Sequence, residues 1–219
     1  MNGQDYIEFG LIAYALGSIP TAVWIGKAYY GVDVREHGSM NAGATNTFRV
    51  LGKKPGIIVL LIDILKGALA SSLPYFVLPS LIVLPDSGPT EILQLHIMNV
   101  QIVASILAVV GHVFPIFAGF RGGKGVATSL GVIVGIQPIA ALICLVVFLM
   151  VFITSKYVSL GAMVAAVFFP FIVHFVLGNE SLSMTLFSLV LSVLVIYAHR
   201  KNIGRLIRGE ENRMNLFKK

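Results

Sequence analysis

A series of long apolar runs, separated by short polar or glycine-rich breaks, constrains this chain most strongly. The first three runs cover 6–26, 57–78 and 96–118. After Gly125 the sequence is almost continuously apolar, and its breaks delimit four more runs, 126–136, 139–153, 158–177 and 182–198. About 20 apolar residues cross a bilayer as one helix. The pattern therefore predicts an all-α, polytopic integral membrane protein.

The run 126–136 is short for a span. Its 11 residues reach about 16 Å at the helical rise, roughly half of the hydrocarbon thickness. It is either a re-entrant half-helix or a full span that begins in the preceding glycine loop.

Composition leaves little room for anything outside the membrane. Only 12% of the 219 residues are charged, against roughly a quarter in soluble domains. Seven spans would use about 140 residues, so we expect one membrane-embedded domain over 1–219. The single cysteine, Cys144, lies in an apolar run and provides neither an internal disulfide nor a cysteine metal cluster. We expect no metal and no cofactor.

The basic residues decide the number of spans, because cytoplasmic loops are enriched in Lys and Arg. With seven spans and the N-terminus outside, fifteen of the sixteen fall on the inside, in 27–56, 119–125, 154–157 and 199–219. The sixteenth, Lys66, lies within a span. Omitting the short run would place the basic C-terminal segment outside. We therefore predict seven transmembrane helices and a cytoplasmic C-terminus. The net charge of +6 indicates contact with anionic membrane lipid rather than with nucleic acid.

The first inside loop, 38–49, combines small residues, hydroxyls and amides with one guanidinium. Small residues let the backbone approach a ligand, and the polar side chains supply neutral donors. The planar fork of Arg49 suits a phosphate. The alternative is an ordinary solvated turn, since Gly, Asn and Ser are common turn residues.

The second inside loop, 120–128, is a glycine-rich turn that leads straight into a helical run. Backbone N–H groups at a helix start, beside Lys124, form a cradle for an anion. A Walker A loop needs GxxxxGK[ST], and Ala118 and Gly125 stand where its first Gly and its Ser or Thr would be. This disfavours an ATPase. The alternative is a flexible turn with two topogenic cations.

Three further polar groups have two possible interpretations each. Asp63 and Lys66, three apart in a span, form either a structural ion pair or part of a polar cavity. His112 is either a hydrogen-bonded structural residue or a base. At the end of the last run, His199, Asn202 and Arg205 share one helical face, although a basic tail there would also serve anionic headgroups.

Together these loops resemble the bacterial acyl-phosphate-dependent glycerol-3-phosphate acyltransferases, the PlsY family. The family pattern GSGNxGxTN followed by R is matched by 38–46 and Arg49, and GHxxPxFxxFxGGKGVAT is matched by 111–128. HRxNIxRLxxGxE is matched from His199 to Glu211, and 63–67 is similar to the family's DxxKG. Two positions depart from the family pattern: Met40 replaces a glycine, and Ala198 stands where an Arg is frequent.

The resemblance implies transfer of a fatty acyl group from acyl phosphate to the 1-hydroxyl of sn-glycerol 3-phosphate, at the cytoplasmic face of the bacterial inner membrane. The products would be lysophosphatidate and phosphate. The soluble enzyme that makes acyl phosphate is a further candidate partner. Acyltransferases that use thioester donors carry HxxxxD, and none of the five histidines here has Asp five positions later.

The resemblance also assigns roles to residues. The implied catalytic residues are Ser39, Arg49, Lys124, His199 and Asn202. The implied phosphate-binding residues are Ser39, Asn41, Thr45, Asn46, Arg49, Gly122, Gly123, Lys124, Gly125 and Arg205. Supporting positions are Asp63, Lys66, His112, Arg200, Gly209 and Glu211. The general base stays open between His199 and the phosphate of glycerol 3-phosphate, and we favour the phosphate because no carboxylate partner for His199 is identifiable.

Two other functional classes fit the sequence less well. A transporter or exchanger of organic phosphates would also gather cations around an anion, but such folds usually contain inverted repeats, and the motifs here occur once. A scaffold that binds a soluble partner through its basic tail would leave both polar loops unexplained.

Overall fold

The computed structural model describes residues 3–81, 91–179 and 181–214, in which helices are joined by turns and loops and no strand occurs. It divides into two compact units, Met1–Gln137 and Pro138–Lys219, hereafter the N-terminal and C-terminal units. Each unit is described below by itself.

The N-terminal unit contains both polar loops, 38–49 and 120–128. Its helices are α1 Gln4–Gly17, α2 Thr21–Tyr30, α3 Ala44–Leu51, α4 Lys53–Leu81, α5 Glu91–Val113 and α6 Val126–Ile136, with 3-10 turns at Val34–Glu36 and Ile116–Ala118. The first polar loop joins α2 to α3, and the glycine-rich loop joins α5 to α6.

The C-terminal unit contains α7 Pro138–Ser155, α8 Val158–Phe171, α9 Leu182–Ala198 and α10 Arg200–Ile207. A π-helical turn, Ile172–Val176, extends α8 just after Pro170, as expected where a proline removes a backbone donor. Helices α9 and α10 meet at a bend of 59°, and His199 lies at that bend.

Five segments of the described residues are long and apolar enough to cross a membrane: Gln4–Tyr30, Lys53–Pro79, Glu91–Ala118, Pro138–Ser155 and Val158–Val176. The bent pair α9 and α10 gives a sixth if it is counted as one span, and α6 is a shorter apolar helix of 11 residues. The structure thus has five or six candidate spans, where the sequence predicts seven.

Small residues bring the helices of the N-terminal unit into close contact. A Cβ at Gly17 would overlap the Ala108 carbonyl, and one at Gly111 would overlap that of Tyr14, so α1 and α5 touch backbone to backbone. Gly67 and Gly131 do the same between α4 and α6. Such contacts are typical of helices packed in membranes. They fix α5 and α6, which flank the glycine-rich loop.

The first apolar run is two helices rather than one. Pro20 has no N–H and interrupts the run, so α1 ends at Gly17 and α2 begins at Thr21. The break frees the carbonyl of Ile19, which accepts a hydrogen bond from Lys66 Nζ at 2.9 Å. A break inside an apolar bundle is tolerated when other groups satisfy the backbone in this way.

Candidate active site

Asn46, in the first turn of α3, shapes the first polar loop. Its buried side-chain amide donates to the carbonyls of Val34 at 2.7 Å and His37 at 3.0 Å. Its carbonyl oxygen accepts from the backbone N–H of Ser39 at 2.8 Å. All of these bonds go to the loop itself, so we revise the implied phosphate-binding role of Asn46 to that of a residue that positions Ser39.

Met40 occupies the turn with the backbone conformation that a glycine favours. Its φ is 57°, close to the 60° of Gly38, and its N–H donates to the His37 carbonyl at 3.0 Å. A left-handed conformation costs a non-glycine residue about 1–2 kcal/mol. Met40 therefore adopts the left-handed conformation that a glycine at this position would favour, and its side chain is exposed.

The polar side chains of the first loop and of the start of α3 are partly accessible. Ser39, Asn41 and Thr45 are half-buried, and Arg49 is exposed. The Arg49 stem passes Gly38, where a Cβ would lie 3.4 Å from Arg49 Cδ. Within the described residues Arg49 makes no hydrogen bond or ion pair, so its donors are available to an anion.

The glycine-rich loop is tied to the end of α5 by two of its own amides. Gly122 N–H donates to the Val113 carbonyl at 3.2 Å, and Gly123 N–H donates to the His112 carbonyl at 3.1 Å. A Cβ at Gly123 would overlap the His112 imidazole. We therefore revise the anion-binding role implied for these two amides: they hold the loop down, while Lys124 and Gly125 lead into α6, whose first N–H groups lack intrahelical partners.

The two loops meet within the N-terminal unit. An ideal Cβ on Gly123 would lie 3.1 Å from the carbonyl oxygen of Ala42 in the first loop. Arg35, a residue not singled out from the sequence, donates from Nη1 to the Ala118 carbonyl at 2.8 Å. Ser39 and Lys124 thus belong to two adjoining loops, and Arg49 lies on α3, which follows the first of them.

A buried charged cluster lies at the His112 end of α5. Asp63 and Lys66 form the ion pair expected from their spacing, with Oδ1 and Nζ 2.9 Å apart. Thr21 donates to Asp63 Oδ1 at 3.2 Å. His112 Nδ1 lies 3.7 Å from the same oxygen and has no hydrogen bond within the described residues. Because the His112 ring backs onto Gly123, the cluster supports the glycine-rich loop.

In the C-terminal unit, His199 is 2% exposed and lies at the bend between α9 and α10. Its Nδ1 is 2.8 Å from the Val195 carbonyl. Since a carbonyl only accepts, Nδ1 carries the hydrogen, and Nε2 is the acceptor nitrogen of the neutral ring. The bend therefore fixes both the orientation and the tautomer of His199.

Glu211 organises the other polar residues of the C-terminal unit. Its carboxylate accepts from Ser159 Oγ at 2.8 Å, from Asn202 Nδ2 at 2.6 Å and from Arg205 Nε at 2.6 Å. Burial raises the pKa of Glu211, but these hydrogen bonds outweigh burial and hold the pKa below its ordinary value of 4.5. The carboxylate is consequently ionised at neutral pH.

Asn202 is held with its carbonyl oxygen as an unused acceptor. Its amide nitrogen is bound to Glu211, and its Oδ1 is buried without a hydrogen-bond partner in the described residues. Gly209, at φ 70°, turns the chain after α10 so that Glu211 folds back. Arg200, implied as supporting, is instead exposed and stacks 4.5 Å from the Tyr197 ring centroid.

Comparison with known proteins gives a consistent result. A family model described as glycerol-3-phosphate acyltransferase matches residues 7–209. The chain is 40% identical to the glycerol-3-phosphate acyltransferase of Chlorobaculum tepidum, over 98% of both chains. It is 46% identical to glycerol-3-phosphate acyltransferase 2 of Bacillus cereus, over 98% of this chain and 97% of that protein.

Two crystal structures of PlsY (YgiH), an integral membrane glycerol 3-phosphate acyltransferase, share the fold. The glycerol 3-phosphate form has a TM-score of 0.82 and 35% identity, covering 97% of this chain and 99% of that one. The lysophosphatidic acid form has a TM-score of 0.78 and 34% identity, covering 96% and 95%.

Proposed function

The chain belongs to the glycerol-3-phosphate acyltransferase family, and we propose that it transfers a fatty acyl group from acyl phosphate to the 1-hydroxyl of sn-glycerol 3-phosphate. Lysophosphatidate and inorganic phosphate are the products. The observation that carries this proposal is the contact between the two loops at Ala42 and Gly123. Arg49, with its uncommitted donors, lies on the helix that follows the first loop, and Lys124 lies in the second. The related PlsY was determined in forms with glycerol 3-phosphate and with lysophosphatidic acid, which are an acceptor and a product of this reaction.

This reaction requires mainly that the protein position the two substrates and stabilise the developing charge. The substrate hydroxyl oxygen bonds to the acyl carbonyl carbon, the carbon–oxygen bond to phosphate breaks, and phosphate leaves with that electron pair. Acyl phosphate is already activated, so the protein has to hold two anions together and stabilise charge on the attacked carbonyl. Cations and neutral donors suit this task.

We assign the residues to this reaction as follows. Ser39, Arg49 and Lys124 bind phosphate and stabilise the developing charge, with Asn41, Thr45 and Gly125 beside them. His199 and Asn202 bind the glycerol end of the acceptor, and the Asn202 carbonyl oxygen suits a hydroxyl donor. Arg205 adds charge for the acceptor phosphate. Asn46, Gly122, Gly123 and His112 hold the loops in place.

The acyl donor provides the direct test. Purified protein should form lysophosphatidate and release phosphate when palmitoyl phosphate and glycerol 3-phosphate are both supplied. Palmitoyl-CoA and palmitoyl acyl carrier protein should give no product, since the chain has no HxxxxD motif. Equal rates with palmitoyl-CoA would contradict the proposed donor.

Proton transfer can be separated from binding at His199. We infer that the acceptor's phosphate takes the hydroxyl proton, so His199→Asn should keep substantial turnover at saturating glycerol 3-phosphate. An Asn amide can donate to the Val195 carbonyl as the ring does, so the bend should be kept. The loss should be mainly in KM for glycerol 3-phosphate, since His199 is assigned to binding that substrate. The matched control is His174→Asn, an exposed histidine outside the site. A fall of about 100-fold or more in turnover, typical of a lost general base, would identify His199 as the base instead.

We also propose seven spans, with the N-terminus outside and both polar loops on the cytoplasmic side of the inner membrane. The distribution of basic residues supports this topology. Cysteines at Arg121 and Lys156 should react with an impermeant reagent only after permeabilisation, and one at Asn179 should react from outside. The other outside test position, Ser87, lies beyond the described residues. Labelling of Lys156→Cys in intact cells would contradict the topology.

A further inference from the structure

Arg35 connects the two loops of the candidate site through its side chain. It lies on the 3-10 turn Val34–Glu36, at the start of the first polar loop. Its Nη1 donates at 2.8 Å to the carbonyl of Ala118, which is 83 positions further along the chain, in the turn that leads into the glycine-rich loop.

The guanidinium of Arg35 is held by Asp33 on its other side. Nε donates to Asp33 Oδ1 at 3.0 Å, and Nη2 donates to Oδ2 at 2.8 Å. The backbone N–H of Arg35 also donates to Oδ1 at 3.0 Å. The two side chains are 15% and 9% exposed. The Arg35 guanidinium is therefore held by Asp33 on one side and by the Ala118 carbonyl on the other, which fixes its orientation.

Both ends of this connection continue to residues of the site. Val34, next to Arg35, accepts from the Asn46 amide, and the same Asn46 binds the N–H of Ser39. On the other side, the turn with Ala118 leads to Gly122 and Gly123, whose amides are bound to the end of α5. Lys124 follows directly. Hydrogen bonds joined by short backbone segments thus link the Ser39 loop to the Lys124 loop.

We propose that Asp33 and Arg35 are positioning residues, which set the spacing between the loop of Ser39 and the loop of Lys124. The inference rests on the proposed function, because both loops are assigned there to phosphate binding. The hydrogen bond with Arg35 holds the pKa of Asp33 well below its ordinary value, so the Asp33 carboxylate is ionised at neutral pH.

Lys27 provides a matched control for Arg35. Its Nζ lies 3.2 Å from Asp33 Oδ2, so it contacts the same carboxylate. Its side chain is 58% exposed, and within the described residues it makes no hydrogen bond or ion pair with the 116–118 turn. Removing Lys27 deletes one positive charge beside Asp33 and leaves the connection to Ala118 in place.

The experiment compares Arg35→Ala, Arg35→Lys and Lys27→Ala in the purified full chain. Arg35→Ala should lower kcat for acyl transfer about 100-fold, as displaced reacting groups do, with a smaller change in KM. Arg35→Lys keeps the charge without the fork and should fall between Arg35→Ala and the wild type. Lys27→Ala should stay within about twofold of the wild type, as expected for an exposed ion pair.

Amide hydrogen exchange supplies a readout that does not depend on activity. Exchange over 116–123 should rise in Arg35→Lys, and in Arg35→Ala if it folds, but not in Lys27→Ala. Unchanged exchange there in both Arg35 variants, or equal losses of kcat in Lys27→Ala and Arg35→Ala, would overturn the inference. If the wild type formed no lysophosphatidate at all, the proposed function would fail, while the exchange data would still decide whether Arg35 couples the loops.

Discussion

Replacement of Lys124 by alanine is expected to lower acyl transfer roughly 10- to 150-fold. Lys124 lies between Gly123, which is tied to α5, and Gly125, which precedes the first turn of α6. An ammonium group at this place adds to the positive end of the helix. A charged hydrogen bond left unmade typically costs about 1.5–3 kcal/mol. The measurement is phosphate release from palmitoyl phosphate, with kcat and KM determined separately for each substrate.

Arg121→Ala is the control for this variant. Arg121 is an exposed cation of the same loop, so its loss removes one charge and leaves the start of α6 intact. Activity should stay within about threefold, since exposed charges contribute little at physiological salt. Lys124→Arg should recover only part of the activity, because a planar guanidinium does not reproduce the point charge of an ammonium. Comparable losses in Arg121→Ala and Lys124→Ala would show that Lys124 acts only through general charge.

Helices whose ends are set by a nearby glycine or proline agree well with the sequence prediction. The run 126–136 coincides with α6, because Gly125 precedes it at φ 76° and Pro138 begins the next helix. The run 6–26 contains a break that apolar content alone does not reveal, although Pro20 marks it. Helix α3 has no apolar run and was not predicted, since it is a short amphipathic helix that packs Phe48 against Gly56 of α4 rather than a segment buried in lipid.

The candidate site, like the fold, could be predicted only in part from the sequence. The sequence patterns point to the segments that contain Ser39, Arg49 and Lys124, because small residues beside cations suit an anion, although each pattern also fits an ordinary turn. They do not show which amides are already bonded, so the roles of Gly122 and Gly123 depend on where α5 ends. Arg35 and Ser159 escaped notice because their partners, Ala118 and Glu211, are 83 and 52 positions away. Such contacts arise only from tertiary packing.

The pH dependence of stability should reflect the position of Glu211. Because its pKa is held below 4.5 in the folded protein, its stabilising effect is complete above that pH and is lost as the pH falls through the lowered pKa. Glu211→Gln keeps the shape of the side chain without the charge. This variant is therefore expected to show a weaker loss of stability on acidification than the wild type.

The second large effect is expected for Glu211→Ala, which should be destabilising and nearly inactive. The change leaves Asn202 and Arg205 without the carboxylate that both bind. The Arg205 and Glu211 side chains are 27% and 8% exposed, so loss of this partly buried partner should cost about 1–3 kcal/mol. Released from Glu211, the Asn202 amide is free to rotate, so its carbonyl oxygen no longer has a fixed direction. Thermal unfolding of the purified protein and lysophosphatidate formation are the two measurements.

Glu210→Ala is the matched control, because Glu210 is adjacent, bears the same charge and pairs with Arg208 at 2.7 Å. Both partners of that pair are well exposed, at 58% and 59%, so its loss should cost no more than about 1 kcal/mol and leave turnover unchanged. The contrast depends on burial and on the Asn202 contact, since net charge changes equally in the two variants. If Glu210→Ala and Glu211→Ala unfolded at the same temperature and had the same activity, Glu211 would have no organising role in the C-terminal unit.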